Sequence, residues 1–163
     1  QNNRQEVEVV TGHGKGKNKL ESLEERVKKH EGFRNTVYRD TLDKRTVGYG
    51  HLCVEDFWKD NKEYDEEFLT SILKDDLKNA VEGAERLLKN CSILHNQAKE
   101  IIIEMVFQLG ETGVSKFKNM LKALELEGGP DYEVASIEML DSRWAKQTPN
   151  RAKELSNIMG GII

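Results

Sequence analysis

Residues 31–51 read EGFRNTVYRDTLDKRTVGYGH, and the pattern of the chain changes within this stretch. Residues that favour strands, β-branched or aromatic, stand on both sides of a polar segment at 41–44. These strand formers are Val37, Tyr38, Thr46, Val47 and Tyr49. A polar segment between two such runs is typical of a turn. The sequence therefore predicts a small β-hairpin within 33–53, the strongest strand signal in the chain.

The segment before the hairpin predicts a tail followed by one helix. Apolar residues recur at helical spacing over 18–30. Asn18 is the expected N-cap of this helix, and Gly32 is expected to end it. Residues 1–17 contain alternating glycines but lack the pattern of a phosphate-binding loop. We therefore expect them to form a flexible tail or linker.

The chain after Asp65 has a helical pattern. A helix capped by Asp65 is expected to run to about Leu88, and the apolar run at 101–109 predicts a buried central helix. Helical spacing of apolar residues predicts two more helices, within 114–124 and 134–144. The inward-facing residues expected on the first of these helices are Phe68, Ile72, Leu73, Val81, Ala84 and Leu88.

A last helix is expected to begin at Thr148, since a threonine N-cap followed by Pro149 is a common helix start. The predicted fold class is α+β and mostly helical. A small β-hairpin or sheet lobe is expected at one end, joined by a long helix to a helical bundle lobe. A long helix between two lobes implies a cleft, the usual place for a substrate.

Composition and charge exclude several classes of function. The 163 residues carry a net charge of −4 and 33% charged residues, which disfavours nucleic acid as a partner. The longest apolar run falls short of the roughly 20 residues that span a membrane. Cys53 and Cys91 lack metal-ligand spacing, so we expect free thiols, no metal and no cofactor.

Glu31, Asp40 and Thr46 form a candidate catalytic group. A hairpin would bring Asp40 and Thr46 together, and the end of the preceding helix would point Glu31 at them. Two carboxylates and a hydroxyl suit glycoside hydrolysis, in which one group protonates the leaving oxygen and another acts on the opposite face. With 29 Asp and Glu residues the spacing alone is weak. On spacing alone the simpler interpretation is favoured, in which Glu31 is a solvated charge at a helix end, Asp40 a turn residue and Thr46 a strand former.

The residues around this group resemble the active-site stretch of T4-type phage lysozymes, glycoside hydrolase family 24. The resemblance rests on Glu31 and Gly32, on YRDT at 38–41 and on TVGYGH at 46–51. Two distant segments match in the same order, MVFQLGETGV at 105–114 and SRWAKQTPNRA at 142–152. The resemblance implies a lysozyme-like two-lobed fold, with one muramidase domain over 18–163.

The family's chemistry assigns roles to the matched residues. It implies that Glu31 is the general acid, that Asp40 acts as base or electrostatic stabiliser, and that Thr46 holds the attacking water. The family hydrolyses the β-1,4 bond between N-acetylmuramic acid and N-acetylglucosamine with inversion. Arg151 matches an arginine that approaches and orients the catalytic glutamate.

Other matched positions imply binding or structural roles. Gln108 and Glu111 match saccharide-binding positions, whereas Phe107 fits the cleft and the core equally well. Trp144 fits the core better than a sugar platform. The resemblance also implies a structural pair that braces the sheet lobe, formed by His51 and Asp76.

The sequence departs from the family at Asp43, where a glycine is usual in the turn. Aspartate tolerates the left-handed conformation better than most residues, so the hairpin should survive.

Bacterial peptidoglycan is the expected partner. The protein is expected to be a monomer, or else a domain within a larger protein or virion assembly, which would bring an acidic enzyme to the wall. Two alternatives remain open, a lytic transglycosylase and a catalytically silent wall-binding or virion structural module. Neither would need the water-binding pair.

Overall fold

The computed structural model describes residues 22–89 and 91–163 of the chain. The chain divides into two compact units, the first ending at Lys78 and the second beginning at Asn79. The tail expected at 1–17 lies outside the described residues, as does Asn18. The combination of helices with one small antiparallel sheet confirms the α+β fold class.

Helix α1 (Leu23–Glu31) begins later than the sequence pattern predicts. Ser22 is its N-cap, and the serine Oγ accepts a hydrogen bond from the Glu25 N–H at 3.1 Å. The cap expected at Asn18 is therefore wrong for this helix, because a serine hydroxyl satisfies the first turn instead. The predicted end is confirmed: Gly32 has a φ of 73° and its N–H bonds to the Lys28 carbonyl at 3.0 Å.

The sheet has three antiparallel strands in the order β1 (Arg34–Arg39), β2 (Arg45–Gly48) and β3 (His51–Leu52). The predicted hairpin is β1 and β2. The third strand was not predicted, because the sequence pattern places His51 at the end of the second strand. The chain instead reverses through Gly48 and Gly50, whose φ angles of 66° and 80° favour glycine.

A small core holds the first unit together. It consists of buried residues from the sheet, the following loop and the next helix, namely Val47, Trp58, Tyr64 and Leu69. Helix α2 (Glu66–Leu87) agrees with the predicted bounds. Phe68, expected to face inward, is 37% exposed, and its ring lies 5.8 Å from that of Phe57. Leu69 takes the inward position instead.

The second unit contains the end of α2, a 3-10 turn (Cys91–Ile93) and five further helices among the described residues. These helices are α3 (Asn96–Ser115), α4 (Lys118–Leu124), α5 (Tyr132–Leu140), α6 (Arg143–Gln147) and α7 (Pro149–Gly160). Helix α3 is the buried central helix predicted from the apolar run. It is interrupted at Gly110, whose φ of 82° and ψ of 161° are not helical.

The prediction of a single helix within 134–144 is wrong. The segment forms two helices, since the Ser142 Oγ accepts a hydrogen bond from the Ala145 N–H and starts α6 anew. Its large apolar residues are also mostly exposed: Val134 (42%), Ile137 (59%) and Leu140 (46%). The small residues of α5 face α7 instead, where a Cβ on Gly160 would lie only 2.9 Å from the Ser136 Oγ. Close helix packing selects the small side chains.

The start of α7 is confirmed, with Thr148 at the N-cap and Pro149 in the first turn. The threonine hydroxyl does not cap the helix, however, because it donates to the Trp144 carbonyl at 3.0 Å.

Cys53 and Cys91 both keep their thiols. Within the residues that the structure describes, every helix is too short or too polar to cross a membrane.

Candidate active site

Glu31 is the last residue of α1, and its carboxylate rests against the turn between β2 and β3. A Cβ built on Gly50 would lie 2.6 Å from Glu31 Oε1. That distance is shorter than any normal carbon–oxygen contact, so the bare glycine backbone makes room for the carboxylate. The left-handed φ of Gly50 favours glycine for a second reason.

Asp40 lies directly after β1 and is fixed by the turn. Its Oδ1 accepts hydrogen bonds from the backbone N–H groups of Leu42 and Lys44, both at 2.9 Å. The turn is completed by Asp43, whose φ of 65° confirms that aspartate occupies the left-handed position. Oδ2 of Asp40 forms no hydrogen bond with any residue in the described parts of the chain. One carboxylate oxygen thus shapes the turn, and the other remains able to accept a hydrogen bond.

Thr46 lies on β2 and is 3% exposed. Its hydroxyl donates a hydrogen bond to the Lys44 carbonyl at 2.8 Å. The Asp40 N–H bonds to the same carbonyl at 3.0 Å. A carbonyl oxygen has two lone pairs and can accept both bonds. The structure therefore brings Asp40 and Thr46 together on one backbone atom, as the hairpin argument predicts.

Tyr38 is a residue that sequence reasoning counted only as a strand former. It is paired directly with Thr46 across the β1–β2 ladder. Burial raises the pKa of the Tyr38 hydroxyl, and the negative charges of Glu31 and Asp40 raise it further. Both carboxylates are therefore electrostatic neighbours of Tyr38. The signal in the sequence was its position two residues before Asp40.

His51 and Asp76 also come together in the first unit. His51 Nδ1 lies 2.8 Å from Asp76 Oδ2, and His51 Nε2 lies 3.2 Å from Glu55 Oε1. The hydrogen bond with Asp76 raises the pKa of His51 against the opposing effect of burial. Trp58 donates from Nε1 to Glu55 at 2.7 Å, and this bond is the main cause of the lowered Glu55 pKa. Glu55 and Trp58 were missed because they lie outside the three segments that resemble the family.

Two predicted saccharide-binding residues of the second unit, Gln108 and Glu111, are each hydrogen-bonded to a neighbouring side chain. Gln108 accepts a hydrogen bond from Trp144 Nε1 at 2.9 Å, and Trp144 is 4% exposed, which confirms it as a core residue. Glu111 accepts from Arg86 Nε and Nη2 at 3.0 and 2.8 Å. Phe107 is half-buried.

Arg151 lies in α7, where its Nε donates to Glu104 Oε2 at 2.9 Å. Arg151 is 8% exposed and Glu104 is fully buried. The pair is charge-assisted and shielded from water, so it fixes the arginine firmly. Sequence reasoning singled out Arg151 and missed Glu104, which stands within an apolar run.

The first unit thus has a carboxylate at a helix end, beside a hairpin that carries a second carboxylate and a hydroxyl. These groups suit glycoside hydrolysis. Comparison with known proteins gives the family. The phage lysozyme family matches residues 28–158, and the chain belongs to that family. It is a lysozyme, a hydrolase that acts on the peptidoglycan of the bacterial cell wall.

Three relatives show the breadth of the similarity. The chain is 28% identical to the probable T4-type lysozyme 2 of Dictyostelium discoideum, over 85% of this chain and 94% of that protein. It is 30% identical to probable T4-type lysozyme 1 of the same organism, over 86% and 94%. It is 31% identical to the pre-baseplate central spike protein Gp5 of Enterobacteria phage T4, over 85% of this chain and 27% of that protein.

Proposed function

We propose that this lysozyme hydrolyses the β-1,4 bond between N-acetylmuramic acid and N-acetylglucosamine with inversion of configuration. Glu31 donates a proton to the leaving oxygen, and Asp40 with Thr46 binds the attacking water. One observation carries the proposal, namely that the Asp40 N–H and the Thr46 hydroxyl each donate a hydrogen bond to the same Lys44 carbonyl.

The hydrogen bonds already made decide how the pair can hold a water. The Thr46 hydroxyl hydrogen is committed to the Lys44 carbonyl, so its oxygen offers only lone pairs. Oδ2 of Asp40 is likewise an acceptor. A water between them donates one hydrogen to each, which leaves its own lone pair to attack the anomeric carbon. As the new C–O bond forms, the water proton moves to Asp40 and the Glu31 proton moves to the departing oxygen.

The residues of the second unit suit the binding of a saccharide chain. Gln108 keeps its amide N–H groups for a sugar, because Trp144 occupies its carbonyl oxygen. Glu111 is oriented by Arg86 and accepts hydrogen bonds from sugar hydroxyls. In this proposal Glu104 anchors Arg151 within the second unit, and Phe107 lines the binding surface.

Two alternatives are kept because they predict different products. A lytic transglycosylase would need the acid but no water between Asp40 and Thr46. A silent wall-binding module would need none of the three residues. The similarity to a phage spike protein favours a role in which a virion delivers this lysozyme to the cell wall.

The deciding experiment is mass analysis of fragments released from purified peptidoglycan. The protein is compared with Glu31→Gln, which keeps the shape of the side chain and removes the acid. Reducing ends from the wild type alone support hydrolysis by Glu31, and the anomer seen first by NMR reports inversion or retention. Anhydro ends would move the assignment to a transglycosylase. Absence of fragments from both proteins would favour the silent module.

A further inference from the structure

Tyr38 is placed on the reacting face of the hairpin by the register of the sheet. Residues directly opposite in an antiparallel pair project from the same face, with Cβ atoms about 4.5–5.5 Å apart. Tyr38 therefore leaves the sheet beside Thr46. The neighbouring position on β2, Val47, points the other way into the small core.

The hydroxyl of Tyr38 has a donor to offer. The side chain is half-buried, yet the hydroxyl forms no hydrogen bond with a residue in 22–89 or 91–163. A polar group shielded in this way usually finds a partner. Burial and the nearby charge of Glu31 raise the pKa of this hydroxyl, so it keeps its proton at any pH where a lysozyme works. A ligand oxygen beside the carboxylates is a suitable partner.

Arg34 holds the Tyr38 ring. The guanidinium carbon of Arg34 lies 4.4 Å from the ring centroid, a cation–π contact. The β1–β2 pairing is irregular between these two residues, because β1 advances four residues from Arg34 to Tyr38 while β2 advances only two between their partners. Such bulges bend a strand and re-aim its side chains, often next to an active site. The irregularity and the stacked arginine together set the direction of the phenol.

We propose that Tyr38 donates a hydrogen bond from its hydroxyl to an oxygen of the saccharide at the bond being cleaved, with Arg34 as the positioning residue behind it. The inference rests on the proposed function of Glu31, Asp40 and Thr46. It adds a fourth contact to the reacting face, one that binds the substrate without moving a proton. Because the contact forms in the bound complex, its loss weakens binding and turnover together.

The test uses Tyr38→Phe, which keeps the ring and the stacked arginine and removes only the oxygen. On solubilised peptidoglycan, kcat/KM of Tyr38→Phe should be about 10-fold lower than that of the wild type, as expected for the loss of one hydrogen bond to a neutral group. Binding is measured separately by calorimetry with a tetrasaccharide muropeptide. Both proteins compared in that measurement carry Glu31→Gln to prevent cleavage, and the added Tyr38→Phe should raise the Kd for the muropeptide by several-fold.

Tyr64→Phe is the matched control. The Tyr64 hydroxyl accepts the Lys59 N–H at 2.7 Å within the small core, so its loss should lower thermal stability and leave kcat/KM unchanged. Arg34→Ala should lower kcat/KM in the wild type and have no further effect in Tyr38→Phe, since Arg34 acts by aiming the hydroxyl that Tyr38→Phe has already removed. An effect of Arg34→Ala that persists in Tyr38→Phe would assign the contact to the arginine and overturn the proposal.

The results separate this inference from the function on which it rests. If the wild type releases no reducing ends, the proposed function fails, whatever the calorimetry shows. If the wild type is active and Tyr38→Phe matches it in both Kd and kcat/KM, the inference fails alone. A loss of activity in Tyr38→Phe with unchanged Kd for the muropeptide would also refute the proposed contact.

Discussion

Gly50→Ala tests whether the turn between β2 and β3 sets the position of Glu31. The added methyl carbon would stand 2.6 Å from Glu31 Oε1, and ordinary contact begins near 3.4 Å, so the oxygen has to retreat by about 0.8 Å. A displacement of about 1 Å at a catalytic group can cost on the order of 100-fold in rate. We expect kcat to fall by roughly that factor.

Backbone strain has to be separated from this effect. Alanine at the φ of 80° found for Gly50 is strained by about 1–2 kcal/mol whatever surrounds it. Gly129→Ala provides the control, because Gly129 has a φ of 114° and nothing within 4 Å of the added carbon. Both variants should lose similar thermal stability, and only Gly50→Ala should lose turnover.

The assay is the initial rate of reducing-end release from purified peptidoglycan, at saturating substrate. A second comparison places Gly50→Ala in the Glu31→Gln background, where no further loss is expected because the displaced acid is already gone. Near-normal kcat in Gly50→Ala would refute the reasoning. So would an equal loss of kcat in Gly129→Ala, since strain alone would then explain the effect.

Two further predictions concern stability. The pKa of His51 is raised in the folded protein, because the imidazolium is paired with Asp76. The pairing therefore stabilises the fold fully at pH values below the unfolded histidine pKa of about 6.5. This stabilisation is lost as the pH rises through the folded pKa. The difference in Tm between the wild type and Asp76→Asn should therefore be largest near pH 6 and shrink at alkaline pH; a difference that grows with pH would contradict this sign. Glu104→Ala should lower the free energy of unfolding by about 3 kcal/mol in urea, because it leaves the buried Arg151 without this carboxylate. A change below 1 kcal/mol would show that the pair contributes little.

The sequence predicted those parts of the fold that depend on neighbouring residues. The hairpin, the left-handed Asp43 and the bounds of α2 all follow from local patterns of turn residues and apolar spacing. The exposed face of α5 did not follow, because spacing shows that a stripe is apolar but does not show which side meets another helix. There the close approach of Ser136 and Gly160 decided the packing.

The candidate site was predictable to a similar depth. Glu31, Asp40 and Thr46 carry functional side chains, so their types and their context pointed to chemistry. The atom that joins Asp40 to Thr46 is a backbone carbonyl, which every residue type possesses and no residue letter reveals. Tyr38 was overlooked for the opposite reason, since a tyrosine in a strand is too ordinary to stand out.

Lys44 contributes to the proposed water-binding pair, Asp40 and Thr46, entirely through its peptide group. Its carbonyl accepts hydrogen bonds from the Thr46 hydroxyl and the Asp40 N–H. Its N–H donates to the Asp40 carboxylate, and its own side chain is exposed. Natural variation at this position is then nearly silent for chemistry, proline excepted, because proline removes the N–H. The same independence makes position 44 a natural attachment point. A fluorophore coupled there would stand beside the proposed water-binding pair, where it should report substrate binding while the peptide group of residue 44 keeps its geometry.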